Sequence, residues 1–349
     1  MRNSLLRVFL LAGASITSYA ATVTFNTFVS SAALNAVEGQ NNTIGFTYAG
    51  DKFVGSVYFG ANNLQLYSTD LTGGTVQFFG NPLPTGGGEV VVAGSLGQGG
   101  FAAGTVYAGT GSNIYKYGDV GGAPVLFTSG LTGNVRGMLF DPGSTFGGDL
   151  LVSTDAGSIY RIDSSGTAHF VASTGQDTEG MDIIPANAAG WGAFAGDLVT
   201  ASEGSGLMRL IDPSGSITIA SGVNISSFES VNFVPLDLGL SGNPLEGYYA
   251  ANYPVDIQKA GASQFTGLQG DLIATSEFGS NSTLTDIHYL GGNSFSTSPV
   301  GSLPDQAEDG IFVTAQRLQD AGVPEPGTLL LLGGGFVGLA MARRRKARA

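Results

Sequence analysis

The 349-residue chain contains no cysteine and only two histidines, His169 and His288. Without cysteine it can form neither a disulfide nor a thiolate metal site. Two histidines are too few for a three-histidine zinc site, and each is expected to be an ordinary strand residue. A chain of this size without disulfides must rely on its hydrophobic core.

Basic residues are scarce outside the two ends of the chain. Seven of the 14 Lys and Arg residues lie in residues 1–20 and 343–349, which leaves 7 basic residues against 26 acidic ones between residues 21 and 322. The net charge of this middle part is therefore −19. Nucleic-acid binding needs a basic surface, so we expect no nucleic-acid partner.

The N-terminal 20 residues have the pattern of a secretory signal peptide. Arg2 and Arg7 form a basic start, residues 8–16 are apolar, and Ser18-Tyr19-Ala20 has the small residues of a cleavage site. A signal helix over residues 1–20 and export through the secretory translocon are expected.

The C-terminal residues fall into three parts. Pro324-Glu325-Pro326 is followed by an uncharged apolar stretch at 327–342 and a basic end at 343–349. Within a bilayer such a stretch is stable only as a helix, although a spanning helix usually has about 20 residues. The basic end would stay in the cytoplasm, so 327–342 is predicted to be a transmembrane helix.

These three parts, in this order, resemble the PEP-CTERM sorting signal of exosortase substrates. The resemblance covers residues 323–349 and implies recognition at Pro324, Glu325 and Pro326 by exosortase, a membrane-embedded transpeptidase. It implies a protein held in the inner membrane of a Gram-negative bacterium before processing, and at the cell surface or outside the cell afterwards. It implies nothing about residues 21–322.

A short strand pattern that opens with glycine recurs along the chain. It starts at Gly55, Gly104, Gly148, Gly196 and Gly270, with spacings of 49, 44, 48 and 74 residues. Periods of 40 to 50 residues with several short strands are typical of β-propeller blades. Turns of the form Asp-x-Ser-Gly at Asp163 and Asp212 have the chemistry of tight hairpins.

We therefore predict an all-β fold, a β-propeller of six blades with four antiparallel strands each, over residues 21–316. Five or seven blades are the alternatives. The strand at residues 21–28 is expected to pair with the strand at 310–314 and close the ring, and 317–326 is predicted to be a linker. The strand pattern of residues 42–316 is similar to NHL-type and gluconolactonase-type propellers.

Acidic residues recur at matching positions of these units. One set opens the first strand of a unit and the other follows the second strand, so both should meet at one mouth of the central channel. Crowded carboxylates favour a hard cation such as Ca²⁺. The predicted metal ligands are Asn134, Glu179, Glu229 and Glu308, and the predicted secondary acidic rim is Asp155, Glu203 and Glu277. The alternative is a solvated acidic rim that binds no metal.

An apparent insertion at about residues 237–268 is rich in tyrosine. Aromatic and amide groups together often contact carbohydrate, and long excursions are often functional. The alternative is a hairpin that packs on its neighbours. The candidate ligand contacts are Tyr248, Tyr249, Asn252 and Tyr253.

No catalytic set is evident in the sequence. We expect an exported surface or matrix module that binds a partner, with an extracellular polysaccharide as a candidate. The alternatives are a metal-dependent hydrolase of the lactonase or esterase type, as lactonase-type propellers imply, and a purely structural surface protein.

Overall fold

The computed structural model describes residues 22–60, 62–84, 88–277 and 282–320. The expected signal peptide, the Pro-Glu-Pro motif, the apolar stretch 327–342 and the basic end lie outside these ranges. Within them, no helix has both the length and the apolar character that crossing a membrane requires.

The described residues form 24 strands and two short α-helices. In chain order, the first elements are β1 (Asn26–Val29), α1 (Ser31–Glu38), β2 (Thr43–Tyr48), β3 (Phe53–Val57), β4 (Leu66–Thr69), β5 (Val76–Phe79), β6 (Val91–Gly94), β7 (Val106–Thr110), β8 (Asn113–Gly118) and β9 (Gly121–Thr128). Next are β10 (Val135–Phe140), β11 (Leu150–Thr154), β12 (Ser158–Ile162), β13 (Ala168–Ser173), β14 (Met181–Ile183), β15 (Leu198–Ser202), β16 (Leu207–Ile211) and β17 (Ile217–Ile219). The last are β18 (Phe228–Phe233), β19 (Gly247–Tyr253), β20 (Asp256–Gly261), β21 (Leu272–Ser276), β22 (Thr283–Gly291), β23 (Ser294–Ser302), β24 (Gln306–Val313) and α2 (Ala315–Asp320).

These strands form six antiparallel sheets of four strands, which are the blades of a propeller. Blades 1 to 4 are β2–β5, β6–β9, β10–β13 and β14–β17, and blade 5 has the order β18-β21-β22-β23. Blade 6 has the order β24-β19-β20-β1. The six inner strands contact one another in a closed ring, from β2 through β6, β10, β14, β18 and β24 back to β2. The predicted six-bladed β-propeller is confirmed.

The closing blade differs from the prediction in one respect. The N-terminal strand β1 and the C-terminal strand β24 belong to the same sheet, but they do not pair with each other. The hairpin β19–β20 lies between them, with Thr27 opposite Gln258 and Phe312 opposite Tyr248. The expectation of direct pairing was therefore wrong, because the apparent insertion supplies the two middle strands of blade 6.

Hydrophobic packing between neighbouring blades holds the ring together. Each of six core clusters lies between two adjacent blades, so the clusters account for all six blade interfaces. Central strands such as β11 and β15 are buried along their whole length, because each sheet is covered on both faces. At the closure, the ring centroid of Phe53 lies 4.6 Å from that of Tyr249 in blade 6.

Polar side chains of the inner strands also join one blade to the next. Asp182 Oδ2 accepts a hydrogen bond from the backbone N–H of Phe233 (2.8 Å), and Asp309 Oδ2 accepts one from Phe46 (3.0 Å). The amide of Asn232 donates to the carbonyl of Gly310 (3.1 Å). These bonds satisfy inner-strand backbone groups that face the channel.

The predicted Asp-x-Ser-Gly turns are present. Asp163 accepts hydrogen bonds from the backbone N–H groups of Ser165 (2.9 Å) and Thr167 (3.1 Å), and Asp212 makes the equivalent bonds one blade later. Gly166 has φ of 89°, which is a left-handed conformation that favours glycine.

Candidate functional site at the mouth of the channel

The inner strands enclose a central channel with a volume of about 1010 Å³. Every inner strand begins at the same end of this channel, which we call the mouth. The turns between second and third strands also lie at the mouth, as the hydrogen bond from the backbone N–H of Asn134 to Asp155 (2.8 Å) shows. The inner strands end at the opposite side, which we call the base.

Irregularities in the inner strands place charged side chains at the mouth. The register shifts at Arg136, at Glu229-Ser230 and at Glu308-Asp309, each near the start of its strand. A β-bulge of this kind redirects a side chain and increases local twist. All three bulges contribute side chains to the lining of the channel.

Arg136 is the cation at the centre of this acidic site. It forms ion pairs with Glu89, with Asp177 (3.3 Å) and with Glu179 (3.4 Å). The side chain of Arg136 is 25% exposed and that of Glu179 is 12% exposed, so the screening by water is incomplete. Three carboxylates therefore share one positive charge. Glu89 precedes β6 of blade 2, whereas Asp177 and Glu179 precede β14 of blade 4.

Glu229 is the most enclosed carboxyl group of the site. Only 4% of the residue is exposed. Its carboxyl group is in hydrogen-bonding contact with that of Glu179. Among the residues that the structure describes, Glu229 Oε2 has no hydrogen-bond partner.

Burial and mutual repulsion raise the pKa values of these acids. Burial raises the pKa of Glu179 to about 7, although Arg136 opposes the shift. The pKa of Glu229 lies well above its ordinary value because of burial and the charges of Glu179 and Glu308. Burial and the charge of Glu277 raise the pKa of Glu308 as well. Part of the site is therefore protonated at neutral pH.

Gln306 and Glu277 extend the site around the mouth. The Gln306 amide donates hydrogen bonds to Glu277 (2.9 Å) and Glu308 (2.7 Å). Burial, together with a hydrogen bond to Glu203, raises the pKa of Glu277 to about 8. This side of the mouth has carboxyl groups but no arginine comparable to Arg136 among the described lining residues.

The structure separates the predicted metal ligands into two groups. Glu179, Glu229 and Glu308 line the channel together. Asn134 is exposed, and its amide donates to Asp155 (2.6 Å) at the rim. A third acid, Asp177, joins Glu179 and Glu203 in a triad whose carboxylate oxygens lie within 4.8 Å of one another. With Ca²⁺–O distances of 2.3–2.6 Å, this spacing fits one divalent cation.

Sequence reasoning did not identify Glu89, Asp177 or Gln306 as part of the site, and it gave Arg136 no role. A signal for Glu89 is present, because it stands two residues before β6 as Glu179 stands two residues before β14. The contribution of Arg136 has no such local signal, since its partners lie on other strands.

The tyrosine-rich hairpin places its candidate ligand contacts in different environments. Tyr248 and Tyr249 are 1% and 0% exposed in the core, and their hydroxyls donate to Asn232 (2.9 Å) and to the carbonyl of Leu245 (2.8 Å). Asn252 is buried and donates to Asp256 (2.8 Å). Tyr253 is partly exposed at the mouth, where the negative charge of Glu308 adds to burial in raising its pKa.

The base of the channel is covered by the C-terminal helix α2. Thr314, Gln316, Arg317 and Asp320 line the channel at this end. Burial lowers the pKa of Arg317, whereas Asp182 of blade 4 and Tyr48 of blade 1 act in the opposite direction. The channel is thus acidic at the mouth and contains a guanidinium at the base.

The comparison with protein families decides the nature of the C-terminal segment. Residues 322–346 match the PEP-CTERM protein-sorting motif. This motif implies an exported protein that is anchored at the membrane before exosortase processes it. The match covers the sorting segment and not the propeller, and no curated protein sequence matches the chain.

Several solved structures are similar to the propeller. A protein of unknown function from Bacteroides thetaiotaomicron is 10% identical, with 80% of this chain and 64% of that chain covered and a TM-score of 0.50. A PQQ-bound aldose sugar dehydrogenase from Streptomyces coelicolor is 15% identical, with 85% and 87% covered and a TM-score of 0.47. A streptogramin B lyase is 12% identical, with 80% and 74% covered and a TM-score of 0.46. At such identities the likeness concerns the fold alone.

Proposed function

We propose that this protein is an exported, exosortase-processed binding module of the cell surface or extracellular matrix. Its binding site is the acidic mouth of the propeller channel, and the ligand that this site takes is a divalent cation of the Ca²⁺ type. The sorting motif supports export and processing, and the carboxyl groups at the mouth support the cation.

The observation that carries the cation proposal is the environment of Glu229. A carboxyl group that is 4% exposed and has an unpartnered oxygen costs folding free energy unless something satisfies it. The neighbouring acids Glu179 and Glu308 add repulsion. A bound cation would supply the missing partner and remove the repulsion together.

Two parts of the mouth offer oxygen ligands. The triad of Asp177, Glu179 and Glu203 has the compact spacing that one ion needs. However, Arg136 already neutralises two of its members. We therefore place the cation towards Glu229, Glu277 and Glu308, where no arginine among the described residues offsets the crowding of carboxyl groups that raises their pKa values.

Tyr253 supports a carbohydrate partner at the same mouth. It is partly exposed, with Glu308 and Tyr58 as neighbours. A tyrosine has an apolar ring face, which can stack on a sugar, and a hydroxyl, which can form a hydrogen bond to it. In this proposal the cation and Tyr253 together bind an anionic or neutral extracellular polysaccharide.

Calcium titration followed by thermal unfolding tests the cation site. We expect millimolar Ca²⁺ to raise Tm at pH 8, because ligand bound only to the folded state stabilises it. Glu229→Gln should abolish the rise. Asp286→Asn is the matched control, because Asp286 also has a raised pKa, of about 6, but lies on β22. Wild-type protein whose Tm does not respond to Ca²⁺ would rule out the site.

A second candidate function is a metal-dependent hydrolase. The observation that favours it is the contact between Glu179, with a pKa of about 7, and the more basic Glu229. Two carboxyl groups with separated pKa values near neutrality can act as general acid and base. Lactone or ester turnover that requires metal and is lost in Glu179→Gln would favour the enzyme. Calcium binding without turnover would favour the binding module.

A further inference from the structure

Helix α2 fixes the point at which the chain leaves the propeller. Leu318 is 1% exposed and packs in the core cluster between blades 6 and 1. The backbone N–H of Ala315 donates to Glu246 Oε1 (2.8 Å). Arg317 lines the base of the channel. These contacts hold α2 against the propeller near its axis.

The exit point lies at the base, opposite the acidic mouth. Strand β24 begins with Gln306 at the mouth, and α2 follows its other end at Val313. Glu308 and Arg317 are therefore near opposite ends of the same channel. Only residues 321–323 separate Asp320 from Pro324.

We propose that the base of the propeller faces the membrane in the anchored precursor and that the acidic mouth faces away from it. The short connection from α2 to the sorting motif imposes this orientation, so the mouth is open to ligands before exosortase acts. The inference is independent of which ligand the mouth binds.

The length of the connection supports this orientation. Six residues, 321–326, separate Asp320 from Gly327, and the seven steps between these two Cα atoms span at most about 25 Å when fully extended. To turn the mouth towards the bilayer, the segment would have to cross three strand spacings, about 14 Å. It would then have to run up the side of a six-residue strand, about 20 Å. That path exceeds its reach, even without the channel radius and the loops.

The absence of cysteine allows a direct test with single-cysteine variants of the full chain. Ala156→Cys lies at the mouth, in the turn between β11 and β12, and Ala186→Cys lies at the base, between β14 and β15. Both alanines are exposed. Each variant is expressed in a host without exosortase, and its modification by a bulky polyethylene-glycol maleimide is timed in spheroplasts and in detergent.

We expect Ala186→Cys to react severalfold more slowly in spheroplasts than in detergent, and Ala156→Cys to react at the same rate in both. Slow reaction of Ala156→Cys in spheroplasts, or equal rates for Ala186→Cys in the two conditions, would overturn the proposal. A flexible Gly/Ser insertion of about 20 residues between residues 322 and 323 should remove the protection of Ala186→Cys. Protection that persists with this insertion would show that the short connection is not its cause, and would overturn the proposal as well.

Discussion

The carboxyl groups of Glu179 and Glu229 are in hydrogen-bonding contact across the boundary between blades 4 and 5. The two residues come from different inner strands, so their contact depends on how closely these strands approach. Gly180 permits that approach, because a Cβ atom there would lie 2.5 Å from the carbonyl oxygen of Glu229. The same position in the preceding blade is Gly137, where a Cβ atom would lie 2.1 Å from the carbonyl oxygen of Glu179.

Replacing Gly180 by alanine should therefore destabilise the propeller. The added methyl group meets backbone, which cannot move aside without separating the inner strands, and overpacking of this kind costs about 1–3 kcal/mol. Gly190→Ala is the matched control, because a Cβ atom at Gly190 has no neighbour within 4 Å. Denaturant unfolding followed by the fluorescence of Trp191, the single tryptophan, measures both. Equal stability of the two variants would contradict the packing argument.

The stability of the protein should decrease as pH rises from about 4.5 to about 8. Glu179 and Glu277 have folded-state pKa values of about 7 and about 8, above the ordinary value of 4.5. A raised carboxyl pKa gives a contribution that is fully present below the unfolded-state pKa and is lost as pH rises through the folded-state value.

Thermal unfolding between pH 5 and pH 9 checks this dependence. Tm should be highest near the acidic end of the range, and Glu229→Gln should reduce the decrease at higher pH. A Tm that is constant or that rises from pH 5 to pH 8 would show that the mouth acids are ionised without cost in the folded protein.

Replacement of Arg136 by glutamine should destabilise the mouth at neutral pH. The substitution leaves Glu89, Asp177 and Glu179 without their shared cation. Hydrogen bonds to charged groups contribute about 1.5–3 kcal/mol. We expect the free energy of unfolding to fall by that order, reduced by the screening that water provides at the partly exposed Arg136. Arg161→Gln removes the single, more exposed ion pair with Asp149 and should cost less. The free energies of unfolding of both variants at pH 7 test this comparison. A larger loss for Arg161→Gln would count against the central role of Arg136.

Glu38→Gln should stabilise the protein at neutral and alkaline pH. Glu38 is 2% exposed, and neither of its carboxyl oxygens has a partner among the described residues. Burial raises its pKa from 4.5 to about 8. At pH 7 the unfolded chain ionises this group but the folded protein does not, so the contribution of Glu38 alone to stability is lower than at pH 4 by about 3 kcal/mol.

The comparison of wild type and Glu38→Gln at pH 4 and pH 7 isolates this effect. The two proteins should have similar stability at pH 4, and the variant should be more stable at pH 7. A variant that is less stable at both values would indicate that the glutamate makes contacts that glutamine cannot replace.

Several features of the fold could be predicted because their signals are local. The strands that follow Gly104, Gly148, Gly196 and Gly270 are the second strands of blades 2 to 5. Gly55 does not open a strand, because it lies inside β3, the second strand of blade 1. Turn chemistry at Asp163 and Asp212 predicted hairpins that the structure contains. Repetition of one supersecondary unit then indicated a ring of blades.

The composition of blade 6 could not be predicted in the same way. Residues 247–261 follow β18 of blade 5 in sequence, but they form β19 and β20 of the closing blade. Local pattern identifies a hairpin and does not specify which sheet it joins. The hairpin joins blade 6 because its two tyrosines are buried there. Tyr248 packs against blade 5 and Tyr249 against blade 1, so both faces of the closing sheet are covered.

The sequence by itself determined the sorting segment, the blade repeat and the acidic positions, since each depends on residue types at short spacing. Only the tertiary structure decided which acids share Arg136, that Glu229 is buried with an unpartnered oxygen, and that α2 leaves from the base. These properties arise where inner strands of different blades converge on one axis. There burial and charge depend on neighbours that are distant in sequence.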